Sequence, residues 1–194
     1  MRITGGKARG IPLRVPSGDA VRPATDGVRQ AVFNSLAPRL ADARFLDLFA
    51  GSGAYGLEAL SRGAKSGVFV EKNNKAATFL RENIEQVCKS LARNSSDAAK
   101  VLVMDATTTP FGETNSPDLI FIDPPYELIE TVAPILFEKL AAVLPSSLDP
   151  IVVFEMPGET ELNPPGWECI KRLGKGRRQP SVCFYRLKPL SPQT

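Results

Sequence analysis

From Phe45 onward, short apolar runs alternate with stretches whose apolar positions recur at helical spacing, and this alternation predicts a parallel sheet with crossover helices. "RFLDLF" (44–49) reads as the first strand, "GVFVE" (67–71) as the second and "KVLVMD" (100–105) as the third. "DLIFID" (118–123) and "PIVVFE" (150–155) supply the fourth and fifth. A glycine turn after the first strand leads into a helix through "YGLEALS" that stops near Gly63. From Asn74, a capping residue type, to Lys89, residues Ala76, Leu80, Ile84, Val87 and Cys88 share one helical face. "RNSSDAA" then reads as a loop. Ile129, Val132, Leu136, Leu140 and Val143 form another stripe, which Pro134 is expected to kink or divide.

The two ends have a different pattern. "WECIKRL" (167–173) and "SVCFYRL" (181–187) flank the basic, glycine-containing "GKGRRQP", which predicts an antiparallel hairpin closing the sheet edge. Near the N-terminus, "RITGG" and "GIPLRV" flank a basic turn and predict a small hairpin. "RPATDGVRQAVFNSLAP" follows, with Thr25 or Asp26 as cap, Val28, Val32 and Leu36 as the apolar stripe and Pro38 as the stop. No internal repeat interrupts this order. With 194 residues and 43% hydrophobic content, the chain is long enough for one well-buried core with an appendage. The expected division is a basic extension over 1–38 and an α/β domain over 39–194.

Charge sharpens this division. Residues 1–44 carry 8 basic and 3 acidic side chains, 45–166 carry 9 and 17, and 167–194 carry 7 and 1. Basic ends around an acidic middle point to a polyanionic partner, because clustered Lys and Arg displace counterions from a phosphate backbone; solvated surface charge is the competing account. Cys88, Cys169 and Cys183 lack C-x-x-C spacing, which argues against a disulfide framework and a thiolate metal site and reads as buried thiols in a reducing compartment. No segment reads as a signal peptide or membrane span, so a soluble, cytoplasmic protein is expected. The absence of histidine excludes histidine-based triads and histidine-ligated zinc hydrolysis. Carboxylates, backbone groups, aromatic rings, lysine or an already activated cofactor must carry any chemistry.

"LFAGSGAYGLEAL" holds a G-x-G-x-x-G at Gly51, Gly53 and Gly56, with Ser52 between the first two. Glycines let a strand-to-helix turn approach a ligand, and the following helix start offers free N–H groups; a tight packing turn needs the same glycines. Asp47 stands four positions before Gly51, where a dinucleotide fingerprint usually has an apolar residue, and "D-L-F-A-G-S-G" resembles the first motif of S-adenosylmethionine-dependent methyltransferases. In that pattern the carboxylate lies near the methionine part of the cofactor. Glu71, 20 residues after Gly51, is spaced to accept ribose hydroxyls, and Asp105 falls where the methyltransferase pattern meets the adenine amine. Lys72 and Ala106 adjoin these two acids. Any one of these acids also fits a helix cap or a solvated loop.

"FIDPPYE" places Asp123, Pro124, Pro125 and Tyr126 directly after the fourth strand. D-P-P-Y in this position resembles the fourth motif of amino-methyltransferases. A planar amine is a poor nucleophile because its lone pair is delocalised into the ring. An Asp123 oxygen and the Pro124 carbonyl can accept its two N–H groups and favour a pyramidal nitrogen. Proline fixes φ and so holds that carbonyl in advance, while Tyr126 offers a face for base stacking. A rigid double-proline turn is the alternative.

"RITGGKARGIPLRVP", "RPATDGVRQAVFNSL", "LDLFAGSGAYGLEALSRGA" and "IFIDPPY" together resemble the RsmD family, methyltransferases acting on a guanine N2 amine of small-subunit (16S) ribosomal RNA. The resemblance runs from Arg2 to the C-terminal hairpin. It implies a Rossmann-like class I methyltransferase fold: a mostly parallel seven-stranded sheet, helices on both faces, an antiparallel C-terminal hairpin and a small N-terminal extension. It implies S-adenosylmethionine as cofactor, S-adenosylhomocysteine as product, and ribosomal RNA, free or within a small subunit, as partner. No metal and no membrane are expected, and the chain is expected to be a monomer.

For individual residues, the resemblance implies a catalytic role for Asp123, Pro124, Pro125 and Tyr126. It implies cofactor contacts at Thr25, Phe33, Asp47, Gly51, Ser52, Gly53, Glu71, Lys72, Asp105 and Ala106. RNA contacts are expected at Arg2, Lys7, Arg9, Arg14, Arg22 and Arg29, with Lys175, Arg177 and Arg178 of the basic hairpin turn added by charge. Gly27, Gln30 and Tyr55 depart from the family pattern, the last replacing an aliphatic residue. A DNA amino-methyltransferase, a catalytically silent RNA-binding assembly factor, a nicotinamide oxidoreductase and a protein amide methyltransferase, whose usual motif begins with Asn, are the other readings. The first generally needs a sizeable target-recognition region, the second leaves an intact D-P-P-Y unexplained, and the third leaves Asp105 and D-P-P-Y unexplained.

Overall fold

The computed structural model describes residues 1–15, 26–111, 116–144, 149–174, 176 and 179–188. Seven strands appear among the described residues: β1 (Arg44–Leu48), β2 (Ser66–Val70), β3 (Ala99–Leu102), β4 (Leu119–Ile122), β5 (Ile151–Pro157), β6 (Trp167–Leu173) and β7 (Pro180–Leu187). They form one sheet in the order β3-β2-β1-β4-β5-β7-β6. Strands β1 to β5 pair in parallel, and β7 runs antiparallel to both β5 and β6. The chain moves outward from β1 through β2 to β3 and returns on the other side at β4. A crevice therefore opens at the C-terminal ends of β1 and β4, where open α/β sheets bind ligands.

Helices α1 (Asp26–Leu36), α2 (Ala54–Ser61), α3 (Asn74–Ser90), α4 (Ser95–Ala98) and α5 (Ile129–Val143) cover the sheet on both faces. Alternate strand residues explain the two layers, because successive side chains point to opposite faces. Phe45, Phe69, Phe121 and Val153 pack with Val32 and Phe33 of α1, Leu57 of α2 and Leu80 and Ile84 of α3. Leu46, Leu48, Ile120, Ile122, Val152 and Phe154 pack with Val132, Leu136, Phe137 and Leu140 of α5. Coverage on both faces is why β4 reads as an unbroken apolar run.

Several boundaries differ from expectation for local reasons. Asn73, not Asn74, caps α3, its side chain accepting from the Lys75 and Ala76 amides. "RNSSDAA" is not all loop: Asn94 caps the single turn of α4. Strand β3 ends at Leu102, before Asp105, because Asp105 instead caps a 3-10 turn over Ala106–Thr108. Helix α5 runs undivided through Pro134, which lies with Glu130 on the exposed side, where the carbonyl that loses its partner faces outward. Cys88 and Cys183 are buried as expected, but Cys169 is exposed because it lies in the outer strand β6. The N-terminal hairpin is reduced to one antiparallel bridge, Arg2 to Pro12, with the Ile3 amide donating to the Ile11 carbonyl at 2.9 Å. Ile3, Ala8 and Leu13 of this segment are buried in the layer that holds α1, α2 and α3.

Gly56 lets α2 lie close against the sheet. A Cβ there would fall against the rings of Phe69 and Phe45, which meet edge to face at 5.2 Å. We expect Gly56→Ala to lower unfolding stability by about 1–3 kcal/mol, the usual cost of overpacking a filled core. Chemical denaturation checks this, and an unchanged midpoint would contradict the close packing.

Candidate active site

The turn after β1 is built around left-handed backbone conformations at Phe49 (φ 61°), Gly51 (φ 53°) and Gly53 (φ 82°). Glycine adopts these without steric cost, whereas Phe49 does so only because its surroundings hold it there. The fixings are visible in the hydrogen bonds. The Ala50 amide donates to the Val70 carbonyl at 2.9 Å, and the Gly51 amide donates to Glu71 Oε2 at 2.8 Å. Gly56 donates its amide to Asp47 Oδ2 at 2.9 Å, so the acid inside β1 fastens the start of α2. From α3, the buried Asn83 donates to the Ser52 carbonyl at 3.0 Å and to the Arg14 carbonyl at 2.9 Å. One amide side chain thus ties the glycine turn to the N-terminal segment.

The strand ends bring acids together. Asp47 pairs in register with Phe121, and Asp123 follows Phe121 on the same face one residue beyond β4. On β5, Phe154 pairs with Ile122, which sets Glu155 beside Asp123. Tyr55 of α2 closes the group: its hydroxyl donates to Glu155 Oε2 at 2.8 Å and its ring stacks on Phe121 at 5.4 Å. Asp47 and Glu155 are both 2% exposed, while Asp123 is half-buried.

This crowding governs protonation. Burial pushes the Asp47 carboxyl up to about 8, against a lowering contribution from the Gly56 amide and with a further rise from the charge of Glu71. Burial also raises Asp123 well above the ordinary carboxylate range, followed by the charges of Glu155 and Asp47. Glu155 is raised by burial, while the Tyr55 hydroxyl and the charge of Arg29 lower it. Asp105 goes the other way. Thr107 donates its hydroxyl and amide to Asp105 Oδ1 at 2.6 and 2.8 Å, and these bonds favour the anion.

The expected cofactor residues therefore gather along one edge. Asp47, Gly51, Ser52, Gly53 and Glu71 meet around the turn, and Lys72 approaches Asp105 at 4.0 Å across the ends of β2 and β3. Ala106 is buried behind Asp105 in the layer under α5. Pro124 is buried, Pro125 is exposed, and Tyr126 opens a 3-10 turn over Tyr126–Leu128 with its side chain half exposed. Phe33 needs correction. It is fully buried against Tyr55 and Phe121 with Arg62 over its ring, so it packs the core and has no face for a cofactor. Thr25 lies outside the described residues.

Arg29 also needs correction. Expected at an RNA surface, it is 1% exposed, donating to the Arg2 carbonyl and to Asp26 Oδ1 and lying 3.6 Å from the fully buried Glu58. Glu58 in turn accepts from the Thr4 amide and hydroxyl at 2.7 Å and from Arg62 Nε at 2.7 Å. The buried charge of Glu58 is compensated, and the N-terminal segment is clamped to α2. Arg2, Lys7, Arg9 and Arg14 are exposed, with Arg2 near Asp26 at 3.4 Å and Arg14 paired to Glu82 at 2.8 Å. Arg22, Lys175, Arg177 and Arg178 lie outside the described residues.

Sequence reasoning missed Glu58, Asn83 and Glu155. Glu155 carried the same signal as Asp123, an acid closing an apolar run. Glu58 was visible as the one charge in the apolar run "YGLEAL". Nothing in the sequence distinguished Asn83 from a solvated amide.

The strand order, the antiparallel β7 and the crevice above β1 and β4 define the class I methyltransferase fold. A family model described as "Conserved hypothetical protein 95" matches residues 1–185, and the chain belongs to that family. Among curated relatives, it is 40% identical over 126 residues to Ribosomal RNA small subunit methyltransferase D of Escherichia coli (strain K12), a match covering 65% of this chain. In that alignment the chain spans only 60% of the relative's length. The protein of the same name from Haemophilus influenzae is 32% identical over 191 residues, covering 96% of this chain and 92% of that protein. The solved Escherichia coli chain yhhF superposes with a TM-score of 0.77 at 30% identity, covering 97% of this chain and 98% of that one. Among the described residues, no group of three or more His, Cys, Asp or Glu side chains is arranged to hold a metal ion, and no helix is long and apolar enough to cross a membrane.

Asp47 makes stability depend on pH in a defined direction. The folded chain retains its proton up to about 8, whereas the unfolded chain releases it near 3.8, so between these values the folded state binds more protons and stability falls as pH rises. Asp47→Asn keeps an oxygen for the Gly56 amide and removes the titration. Thermal midpoints followed from about pH 5 to 8 should decline less steeply in the variant. Parallel curves would contradict the assignment.

Proposed function

We propose that this protein transfers a methyl group from S-adenosylmethionine to the exocyclic N2 amine of a guanine in small-subunit ribosomal RNA. The relatives' names support ribosomal RNA as the substrate class, and the D-P-P-Y resemblance supports an amine as the acceptor. The observation that carries the reading is the position of Asp123. It is half-buried at the end of β4, on the sheet face of Asp47 and the glycine turn, with Tyr126 half exposed three residues on.

The residues present fit the cofactor. A Cβ on Gly51 would meet only the Phe49 carbonyl at 4.0 Å, so the turn presents bare backbone to open space. In this reading Gly51, Ser52 and Gly53 border the amino-acid part, Glu71 accepts the ribose hydroxyls with lone pairs left after binding the Gly51 and Asn73 amides, and Asp105 with Ala106 borders the adenine. Asp47 acts from behind, holding the turn through Gly56. The cofactor supplies a methyl group on an already activated sulfonium, which suits a chain without histidine.

The chain supplies position and proton handling. Asp123 and the Pro124 carbonyl accept the two amine hydrogens and orient the nitrogen lone pair, while Tyr126 stacks on the base. Once alkylated, the nitrogen sheds a proton to Asp123 or water. The basic extension over 1–38 grips the phosphate backbone through Arg2, Lys7, Arg9 and Arg14, with Arg22, Lys175, Arg177 and Arg178 as further contacts.

Asp123→Ala tests the acceptor role. Transfer of labelled methyl to ribosomal RNA should fall by about 100-fold or more, because positioning of this kind supplies at least that much, while S-adenosylmethionine affinity by calorimetry should stay within about threefold. Retained turnover would overturn the role of Asp123, and loss of S-adenosylmethionine binding by the wild-type chain would overturn the reading as a whole.

A further inference from the structure

Asp123 does not stand alone at the end of β4. The parallel register that pairs Ile122 with Phe154 brings Glu155 out of β5 directly beside it, on the face shared by Phe121 and Val153. Glu155 is 2% exposed, and the Tyr55 hydroxyl holds it at 2.8 Å. Tyr55 is fixed in turn by stacking on Phe121 and by contact with Phe33, which leaves its hydroxyl little freedom to turn elsewhere. Tyr55 is thus a donor aimed at a carboxylate beside the proposed acceptor of the amine.

We propose that Glu155, held by Tyr55, is a positioning residue for Asp123: it keeps negative charge behind that carboxyl and equips it to take the proton an amine sheds on alkylation. The use of the pair rests on the proposed amine methylation, whereas its existence does not.

The charged surroundings favour this division of labour. Asp47 from β1 and Glu155 from β5 face Asp123, and both raise its proton affinity beyond what burial does. Arg29 from α1 and Tyr55 from α2 act on Glu155 in the opposite sense and stabilise its anion. Glu58 of α2 is engaged with Arg29, Arg62 and Thr4, and Glu71, one residue beyond β2, acts on Asp47. Two adjacent carboxyls cannot both ionise freely, so they titrate as a pair. With Glu155 held as the anion, the proton shed on alkylation goes to Asp123, the member within reach of the crevice.

The test is a carboxyl titration by carbon-13 NMR of the full chain, without cofactor or RNA, in the wild type, Glu155→Gln and Tyr55→Phe. Glutamine keeps an oxygen for the Tyr55 hydroxyl while removing the charge. The Asp123 midpoint should fall by about one pH unit or more in Glu155→Gln and by a smaller amount in Tyr55→Phe. An Asp123 midpoint unchanged in the folded variants would overturn the pairing. If Glu155→Gln fails to fold, Tyr55→Phe decides alone, since losing one hydroxyl leaves the packing of the ring in place. In methyl-transfer assays, the acidic limb of the rate profile should move to lower pH with the Asp123 midpoint, with little change in RNA KM. A limb that stays fixed while the midpoint moves would overturn the positioning role. A wild-type chain that transfers no methyl group to RNA would count against the proposed function, and the titration would still decide the pair.

Discussion

The parallel register of β1, β4 and β5 is the constraint on which the rest depends. Because side chains alternate across a strand, register alone decides that Asp47, Asp123 and Glu155 share one face while Leu48, Ile122 and Phe154 share the other. A slip of one residue on β4 would turn Asp123 toward the layer under α5 and bring Ile122 to the crevice. The apolar layers on both faces prevent that slip, since each strand contributes large side chains to both. The site thus inherits its precision from the hydrophobic core, and the acids are held in a low-dielectric setting that raises their proton affinity.

A second constraint binds the N-terminal segment to this face. Glu58 and Arg29 are buried together; Thr4 and Arg62 donate to Glu58 and the Arg2 carbonyl accepts from Arg29, while Arg29 Nε stays buried without a hydrogen-bond partner, 3.6 Å from Glu58. Ser61 adds a further clamp, accepting from the Ala8 amide and donating to the Gly5 carbonyl. Asn83 supplies the third, joining Arg14 to the glycine turn. Three polar side chains from α2 and α3 therefore do what a full hairpin ladder would otherwise do, which explains why a single backbone bridge suffices. The exposed Arg2, Lys7 and Arg9 are carried by a segment whose apolar residues are anchored in the core.

The sequence made the sheet, the glycine turn and the D-P-P-Y corner legible because each rests on local chemistry: apolar runs, positive φ and proline geometry. The C-terminal hairpin was equally clear, since two extended-type runs flank the basic, glycine-containing "GKGRRQP". What stayed hidden depended on distant partners. Arg29 reads as a surface cation until Glu58, 29 positions later, is seen to bury it, and Phe33 reads as a ligand contact until Tyr55 and Phe121 enclose it. Pro134 left α5 intact because it falls on the exposed side, opposite the stripe of Ile129, Val132, Leu136 and Leu140. Glu155 was legible in type and missed in role, since only the pairing of β4 with β5 sets it beside Asp123.

In the proposed function, the crevice above β1 and β4 alkylates an exocyclic amine of ribosomal RNA. Digestion to nucleosides and mass spectrometry after incubating the wild-type chain with methyl-labelled S-adenosylmethionine and small-subunit RNA, free and in ribosomal particles, tests it most directly. The account predicts label in N2-methylguanosine. Label on a ribose oxygen, on a ring nitrogen or in no nucleoside at all would contradict it.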